Sequence, residues 1–339
     1  MNNHGFNAEK ETALMLLKRL LLAACICVLF LSCCCGALAQ EWEPLPMDGY
    51  DPGNPPADGA FLSDTEYRDD SISVKIYADR YAATDYLYVH VKISHPSQLR
   101  TAPATLVENP ANKVNFRYTS EITKRGRYIA NAANAVVAIN GDYFIKTDKC
   151  QVVMRQSQQV RNAADGHMDL LVIDKNGDFT ALEGCTRAQY NEYLDSHQAD
   201  MYNVFCFGPV LARDGACVIG DDYYNGYLGS NKGTQRTAIA QLGPLEYMLI
   251  TCSSEQASEN KKVKDKGMTI QEFAQACEIA GKRLNENGCL LAFNLDGGNS
   301  ATLNFKQTDP KTGKLNYVKV NPGQERFLSD IIYFATLVK

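Results

Sequence analysis

Two polar turns carry the carboxylates with which this chain could do chemistry. In the first turn, Asn140 and Gly141 end a buried apolar run, and Asp142 follows them. In the second turn, near the C-terminus, Asp296 ends another apolar run and is followed by two glycines. An Asp at a strand end either caps its own turn or faces a ligand. We expect the two turns to face each other, with Asp296 and Asp142 as catalytic carboxylates and with Asn140 and Gly141 in contact with substrate.

The second turn also offers groups that could hold an anion or a sugar. Gly297 and Gly298 permit positive φ and a close backbone approach, so their N–H groups could form an anion-binding nest. Ser300 and Thr302 alternate out of the turn, and their hydroxyls could donate hydrogen bonds to sugar or phosphate. No Gly-Lys-Ser/Thr sequence follows, which disfavours nucleotide binding. We therefore expect all four residues to bind substrate.

Two arginines are candidates for holding a phosphate group. Arg236 lies at the mouth of a strand, directly before Thr237. A guanidinium there can donate two parallel hydrogen bonds to phosphate oxygens. Arg326, which follows Glu325, is a second candidate, and a structural ion pair is the alternative for both arginines. We predict that Arg236, Thr237 and Arg326 bind the substrate.

Two further roles stay open at this stage. His167 lies in a polar loop, where its imidazole could act as a general base near pH 7 or be an ordinary loop side chain. A calcium ion is possible because Asn140, Asp142, Asn294 and Asp296 supply the oxygen ligands that calcium accepts. The spacing of these residues matches no known calcium loop, so the sequence identifies no metal.

The hydrophobic pattern indicates the elements that must position these groups. Period-two alternation predicts strands, and a Thr269/Glu272 capping box begins the clearest helix. The pattern contains many hairpins, few parallel crossovers and only two long helices. We predict an α+β fold, a single domain on a twisted mixed, largely antiparallel sheet with a few packed helices. The predicted strands cover residues 71–77, 86–93, 135–139, 169–173, 179–182, 238–241, 245–251, 289–295 and 330–337, and the predicted helices cover residues 119–133 and 269–284.

The N-terminal residues have the pattern of a secretory signal. Lys18 and Arg19 precede an apolar run over 20–31, and Ala37-Leu38-Ala39 is a small-x-small cleavage site. An uncleaved membrane anchor, or lipidation of a cysteine within 33–35, are the alternatives. We predict that residues 1–39 are a signal peptide or membrane anchor and that the rest of the chain is extracytoplasmic.

Composition predicts where the folded domain begins and argues against nucleic acid as a partner. Residues 40–70 are rich in Pro and Gly and predict a linker, which places the folded domain at 71–339. The net charge is −5 and no basic footprint is clustered, which argues against nucleic-acid binding. Contact with a membrane is expected only through the N-terminal segment. Cys206 and Cys217 flank a predicted hairpin and could form a disulfide or remain thiols.

Five motifs in a fixed order resemble the phosphodiester glycosidase family. The resemblance extends over roughly residues 71–338, and the family commonly has glycine where Asp142 and Asn299 stand and serine where Ala301 stands. The motifs lie at 138–144, 207–211, 235–238, 294–305 and 325–327.

This resemblance implies an exported hydrolase that cleaves a sugar-1-phosphodiester, such as an N-acetylglucosamine-1-phosphodiester, in surface or scavenged glycans. Such a reaction passes through an oxocarbenium-like transition state, so it needs a carboxylate near the sugar ring. Phosphate is already a good leaving group, so groups that hold its oxygens matter more than acid assistance. A non-catalytic envelope protein that binds a glycan or a phosphate is the alternative. The sugar, the aglycone and the anomeric outcome stay open.

Overall fold

Antiparallel strands make up most of the regular structure. The computed structural model describes residues 42–47, 49, 51–108, 119, 121–142, 150–220, 232–254 and 265–339. The strands are β1 (Phe61–Ser63), β2 (Glu66–Arg68), β3 (Ile72–Tyr81), β4 (Thr84–Ile93), β5 (Leu99–Pro103), β6 (Lys124–Arg125), β7 (Val137–Asn140), β8 (Val152–Arg155), β9 (Gln158–Asn162), β10 (Asp169–Asp174), β11 (Phe179–Leu182), β12 (Met201–Phe207), β13 (Val210–Arg213), β14 (Ala216–Cys217), β15 (Thr237–Gly243), β16 (Glu246–Cys252), β17 (Leu291–Leu295), β18 (Leu303–Thr308), β19 (Leu315–Lys319), β20 (Phe327–Leu328) and β21 (Asp330–Phe334).

The largest sheet has nine strands, in the order β1-β2-β3-β4-β16-β15-β17-β13-β14. Its longest hairpin, β3–β4, turns through Ala82 and Ala83, which both have positive φ. The inner strands β15 and β17 are buried on both faces, as expected of strands covered on either side. Strand β17 delivers the chain directly to Asp296.

Two five-stranded sheets face the nine-stranded sheet across a shared apolar core. Their strand orders are β11-β10-β12-β8-β9 and β19-β18-β7-β21-β5, and a two-stranded sheet pairs β20 with β6. Strand β7, which ends at Asn140, is therefore in a different sheet from β17. The shared core includes Val137, Ile139, Leu171, Phe205, Ile239, Phe293, Leu295, Phe305 and Ile332.

Four α-helices pack around these sheets in the described residues: α1 (Thr105–Glu108), α2 (Gly126–Ala132), α3 (Arg187–His197) and α4 (Ile270–Leu284). The capping box that begins α4 is confirmed: Thr269 accepts a hydrogen bond from the N–H of Glu272, whose carboxylate bonds back to Thr269. Helix α4 buries Phe273 and Ala276 against the nine-stranded sheet, on the face that carries Ala238 and Ala240. That face is opposite to the shared core.

The α+β class and the largely antiparallel pairing are confirmed, but the prediction of one mixed sheet is wrong. The strands form separate sheets, and every strand pair in the described residues is antiparallel. The predicted helix over 119–133 is also wrong in extent, because α2 begins only at Gly126, after β6. The second helix longer than ten residues is α3, which the sequence analysis missed although Thr186 caps it.

The predicted linker over 40–70 is wrong for its described part. Strands β1 and β2 lie within it, and β2 pairs with β3 in the nine-stranded sheet. Gly53 packs so closely against Ala335 that a Cβ on Gly53 would lie 2.5 Å from the Cβ of Ala335. The compact unit therefore runs over Glu43–Lys339. The two strands escaped recognition because each has only three residues, too few to show the alternation on which the prediction relied.

The predicted signal peptide or anchor at 1–39 lies outside the described residues. Within the described ranges, no helix is both long enough and apolar enough to cross a membrane. No disulfide joins Cys206 to Cys217, so of the two alternatives left open for this pair the structure shows thiols.

Candidate active site

The two polar turns meet where β7 and β17 end. The side-chain N–H of Asn140 donates to the carbonyl of Asp296 at 2.7 Å, and its Oδ1 accepts from the N–H of Thr302 at 3.0 Å. The N–H of Asp296 donates to the carbonyl of Gly141 at 3.3 Å. The expected juxtaposition is therefore confirmed. Asn140 itself is buried and holds the second turn in place, which leaves it little capacity for the substrate contact predicted from the sequence.

The glycines of the second turn shape the backbone and do not present a free anion nest. The N–H of Gly298 donates to the carbonyl of Gln235 at 2.8 Å, and the N–H of Gly297 bonds to the carboxylate of Asp296. A Cβ on Gly297 would lie 2.5 Å from the oxygen of Gln235, and Gly298 has a φ of +57°. Larger residues would therefore displace the turn. Both N–H groups are already engaged, contrary to the predicted role.

Asp296, Ser300 and Arg326 form a hydrogen-bonded chain along a small cleft. Arg326 Nη1 donates to Ser300 Oγ at 3.1 Å, and Ser300 bonds to the Asp296 carboxylate. The cleft is also lined by Gly141, Asp142 and residues 327–330. Arg326 and Ser300 therefore occupy positions next to the candidate carboxylate, as predicted from the sequence.

The environment of Asp296 favours its protonated form. Burial raises the pKa of Asp296 to about 7. The hydrogen bond from Ser300 and the positive charge of Arg326 oppose this rise, whereas the negative charge of Asp142 adds to it. A carboxyl group that titrates near pH 7 can either donate or accept a proton under neutral conditions, which suits acid–base chemistry.

A sealed ion-pair cluster lies beside this chain of hydrogen bonds. Arg155 Nη2 contacts Asp142 Oδ1 at 2.9 Å, and its Nε contacts Asp330 Oδ2 at 2.7 Å. The guanidinium is inaccessible to solvent and stacks over the ring of Phe205, with its central carbon 4.1 Å from the ring centroid. The other Asp142 oxygen accepts from the N–H of Cys206 at 3.0 Å. Asp142 therefore has both oxygens engaged and no exposed side-chain surface, which does not support the predicted direct role in catalysis.

Sequence reasoning missed Arg155 and Asp330. Asp330 lines the cleft, and burial raises the pKa of its carboxyl to about 6; Arg155 opposes the rise and Asp142 adds to it. Asp330 opens β21 and Arg155 closes β8, so each is a charged residue at the end of an apolar run. That local signal was present, but nothing in the sequence paired the two.

The predicted phosphate ligand Arg236 is not among the described residues that line the cleft, although its backbone lies beside Gly297. Its side chain is buried, its Nε donates to the carbonyl of Met268 at 2.8 Å and its Nη2 donates to that of Lys232 at 3.1 Å. Burial lowers the pKa of Arg236, while Cys252 and Glu272 oppose that shift. By strand alternation, Arg236 shares the α4-covered face of the sheet. The guanidinium therefore donates to backbone carbonyls and not, as predicted, to the oxygens of a phosphate.

The two predicted threonine ligands are buried, whereas the candidate general base His167 is exposed. Thr237 and Thr302 are inaccessible to solvent, and neither hydroxyl has a hydrogen-bond partner among the described residues. His167 is exposed in its loop and is not among the described residues that line the cleft. The two threonines are likewise not among the described residues that line the cleft, although Thr237 pairs with Leu295, the residue before Asp296.

The predicted calcium ligands are not assembled. Asn140 Oδ1 accepts a backbone N–H, and both oxygens of Asp142 are occupied by Arg155 and Cys206. In the part of the chain that the structure describes, no group of three His, Cys, Asp or Glu side chains has metal-binding geometry.

Comparisons with known proteins give a family-model match and a solved structure of similar fold. A model of the phosphodiester glycosidase family matches residues 133–335. The catalytic domain of zebrafish N-acetylglucosamine-1-phosphodiester alpha-N-acetylglucosaminidase, auto-inhibited by its pro-peptide, superposes with a TM-score of 0.56 at 14% identity, over 81% of this chain and 86% of that one. A hypothetical protein from Synechocystis gives a TM-score of 0.45 at 15% identity, over 78% and 62%. No curated protein gives a significant sequence match. The zebrafish structure shows a shared fold.

Proposed function

Because the chain belongs to the phosphodiester glycosidase family, we propose that it hydrolyses a sugar-1-phosphodiester with Asp296 as the acid–base group. The observation that carries this proposal is the chain of contacts from Asp296 through Ser300 to Arg326. It places a carboxyl of raised pKa beside a hydroxyl and a cation in one cleft. Those are the groups that the reaction requires.

Arg326 and Ser300 hold the phosphate in this proposal. The guanidinium donates to two phosphate oxygens, and the hydroxyl of Ser300, now hydrogen-bonded to Asp296, donates to a third polar atom of the substrate. As the bond between the anomeric carbon and the phosphate oxygen breaks, negative charge collects on that phosphate. A fixed cation stabilises the charge without reorganisation.

Asp296 accepts the proton of the attacking water, and the sealed cluster stabilises the charge on the sugar ring. A water molecule attacks the anomeric carbon, the phosphate monoester leaves, and the ionised Asp296 takes the proton that the water releases. The sealed cluster of Asp142, Asp330 and Arg155 holds two carboxylates against one guanidinium. Its net negative charge stabilises the positive charge that develops on the ring, which is a supporting role without substrate contact.

The substrate class and location complete the proposal. The name of the zebrafish relative supports an N-acetylglucosamine-1-phosphodiester as the substrate to try first. The N-terminal pattern supports export, so the substrate would be a surface or scavenged glycan. Mass spectrometry of the exported protein should find Gln40 as its N-terminus if the signal is cleaved there.

The test is turnover of a defined panel by the purified protein. Sugar-1-phosphodiesters and UDP-sugars are incubated with it, and free sugar is measured by mass spectrometry. Asp296→Asn should lower kcat by roughly 100-fold or more, the size of an electrostatic effect at an active site. Asp195→Asn, an exposed carboxylate on α3, is the matched control and should keep wild-type kcat. Saturable binding with no turnover of any member would contradict the proposal and favour a binding module.

A further inference from the structure

A rim of arginines and exposed aromatic rings continues the cleft onto the surface. We define the arginine–aromatic rim as Arg125, Arg127, Tyr128, Arg326 and Phe327. Phe327 and Tyr128 are 52% and 48% exposed, and they are the only aromatic side chains among the large hydrophobic residues that the described surface exposes. A single exposed apolar residue is normal on a protein surface, so these rings are of interest because they lie next to the cleft and beside arginines.

The rim is continuous with the cleft through the pairing of β20 with β6. Arg326 and Phe327 line the cleft, and Phe327 pairs directly with Arg125. Arg127 and Tyr128 follow in α2, whose N–H at Arg127 bonds to Glu325, the residue before Arg326. A ligand leaving the cleft past Phe327 therefore passes over this surface.

Contacts within the rim hold the rings in place. The Arg125 guanidinium carbon lies 5.8 Å from the ring centroid of Phe327, and that of Arg127 lies 4.9 Å from the ring of Tyr128. Cation–π contacts of this kind restrain an exposed ring without covering its other face. Arg127 and, more weakly, Arg125 lower the pKa of the Tyr128 hydroxyl.

The charge of the rim is positive although the whole chain carries −5. Glu325 forms an ion pair with Arg127 at 3.0 Å and offsets one charge. No carboxylate of the described residues lies within ion-pair distance of Arg125. A locally positive surface on an acidic protein attracts anions and disfavours a neutral ligand of the same shape.

We propose that the arginine–aromatic rim binds the part of an anionic glycan that continues beyond the cleaved phosphodiester. A sugar ring stacks on Phe327 or Tyr128, and the next phosphate lies near Arg125. The enzyme then prefers a chain of phosphodiester-linked sugars to a small diester. This inference rests on the proposed function, because it takes the cleft as the cleavage site.

The test compares two substrates with the full-length protein. One is a synthetic tetramer of N-acetylglucosamine-1-phosphate units joined by phosphodiesters, and the other is the methyl phosphodiester of N-acetylglucosamine-1-phosphate. The measured quantity is the ratio of their kcat/KM values. Arg125→Gln should lower this ratio roughly fivefold, as expected of one partly exposed charge, and Tyr128→Ala should lower it roughly threefold to tenfold. Raising the salt concentration should reduce the wild-type ratio towards that of Arg125→Gln.

Matched controls are exposed residues away from the rim, Arg187→Gln on α3 and Leu62→Ala on β1, and both should keep the wild-type ratio. Unchanged ratios in folded Arg125→Gln and Tyr128→Ala proteins would overturn the inference while the proposed function stands. So would calorimetric binding of uncharged chitotetraose as tight as that of the tetramer. If neither diester is turned over, the proposed function has failed, and calorimetric binding of the tetramer tests the rim by itself. Weaker binding by Arg125→Gln than by wild type would then support the rim. Equal binding by the two proteins would overturn the rim as well.

Discussion

Two arginine–carboxylate clusters share one cleft and differ mainly in their access to solvent. In the sealed cluster, Arg155 is inaccessible and contacts Asp142 and Asp330 directly. In the open cluster, Arg326 is partly exposed and reaches Asp296 only through Ser300. The same side-chain types therefore have different roles. The buried ion pairs of the sealed cluster leave no donor for a ligand. In the open cluster, the hydroxyl-bridged arginine can exchange its hydrogen bond to Ser300 for hydrogen bonds to phosphate.

The electrostatic consequences of the two clusters also differ. Burial without a direct cation leaves the pKa of Asp296 near 7, whereas Asp330, in direct contact with Arg155, titrates at about 6. Both carboxyl groups therefore titrate close to neutral pH, and Asp296 is the one that a hydroxyl links to a partly exposed cation. The sealed cluster supplies a fixed field and a rigid floor.

The largest expected effect comes from breaking the sealed cluster. Arg155→Met should lower the free energy of unfolding by about 3–5 kcal/mol, because it leaves two carboxylates buried without their cation. Urea unfolding followed by circular dichroism measures this change. Arg326→Met, in the open cluster, should cost less than about 1 kcal/mol. Equal losses in both variants would show that the clusters do not differ in the way proposed.

A smaller effect on activity should distinguish Arg326 from Arg236, the two arginines predicted from the sequence to bind phosphate. Arg326→Lys keeps the charge but loses the fork, so kcat/KM for a sugar-phosphodiester should fall roughly tenfold to 100-fold with little change in melting temperature. Arg236→Lys should instead lower the melting temperature, because Nε and Nη2 hold the carbonyls of Met268 and Lys232. A stable Arg236→Lys protein that selectively loses phosphodiester turnover would return the phosphate site to Arg236.

The third expected effect is a dependence of stability on pH. The pKa of Asp296 is about 7 in the folded protein, above the usual value of about 4 for an unfolded chain. The native state therefore binds more protons between pH 4 and 7, so this group stabilises the fold below pH 4, and its contribution is lost as pH rises through 7.

Asp296→Asn removes this dependence, because its side chain does not ionise. Relative to wild type, the variant should gain up to about 4 kcal/mol at pH 8, because a difference of about three pKa units corresponds to about 1.4 kcal/mol each, and nothing near pH 4. Thermal unfolding at the two pH values measures the difference, with Asp195→Asn as the control that should show none. A gain of the same size at both pH values would argue against ionisation of a buried Asp296 as its cause.

The sequence by itself determined several strands and the start of one helix, and it identified Asp296 and Arg326 of the open cluster as candidate site residues. Alternation predicted β3, β4 and the hairpin β10–β11, and the Thr269/Glu272 box predicted the start of α4. These signals are local, since turns, caps and period-two patterns depend on residues within a few positions of one another. The motif around Asp296 and the motif at Arg326 were also legible, because each is a short polar segment beside an apolar run.

Only the tertiary structure decided which charges meet. Arg155 and Asp330 are separated by 175 positions, and no local pattern marks an ion pair between strands of different sheets. Arg236 and Thr237 differ by one residue, and which of them faces α4 depends on what packs against each face of β15. The strands at 61–68 form because β3 offers them an edge. Burial and long-range pairing set these outcomes, and both are properties of the assembled fold.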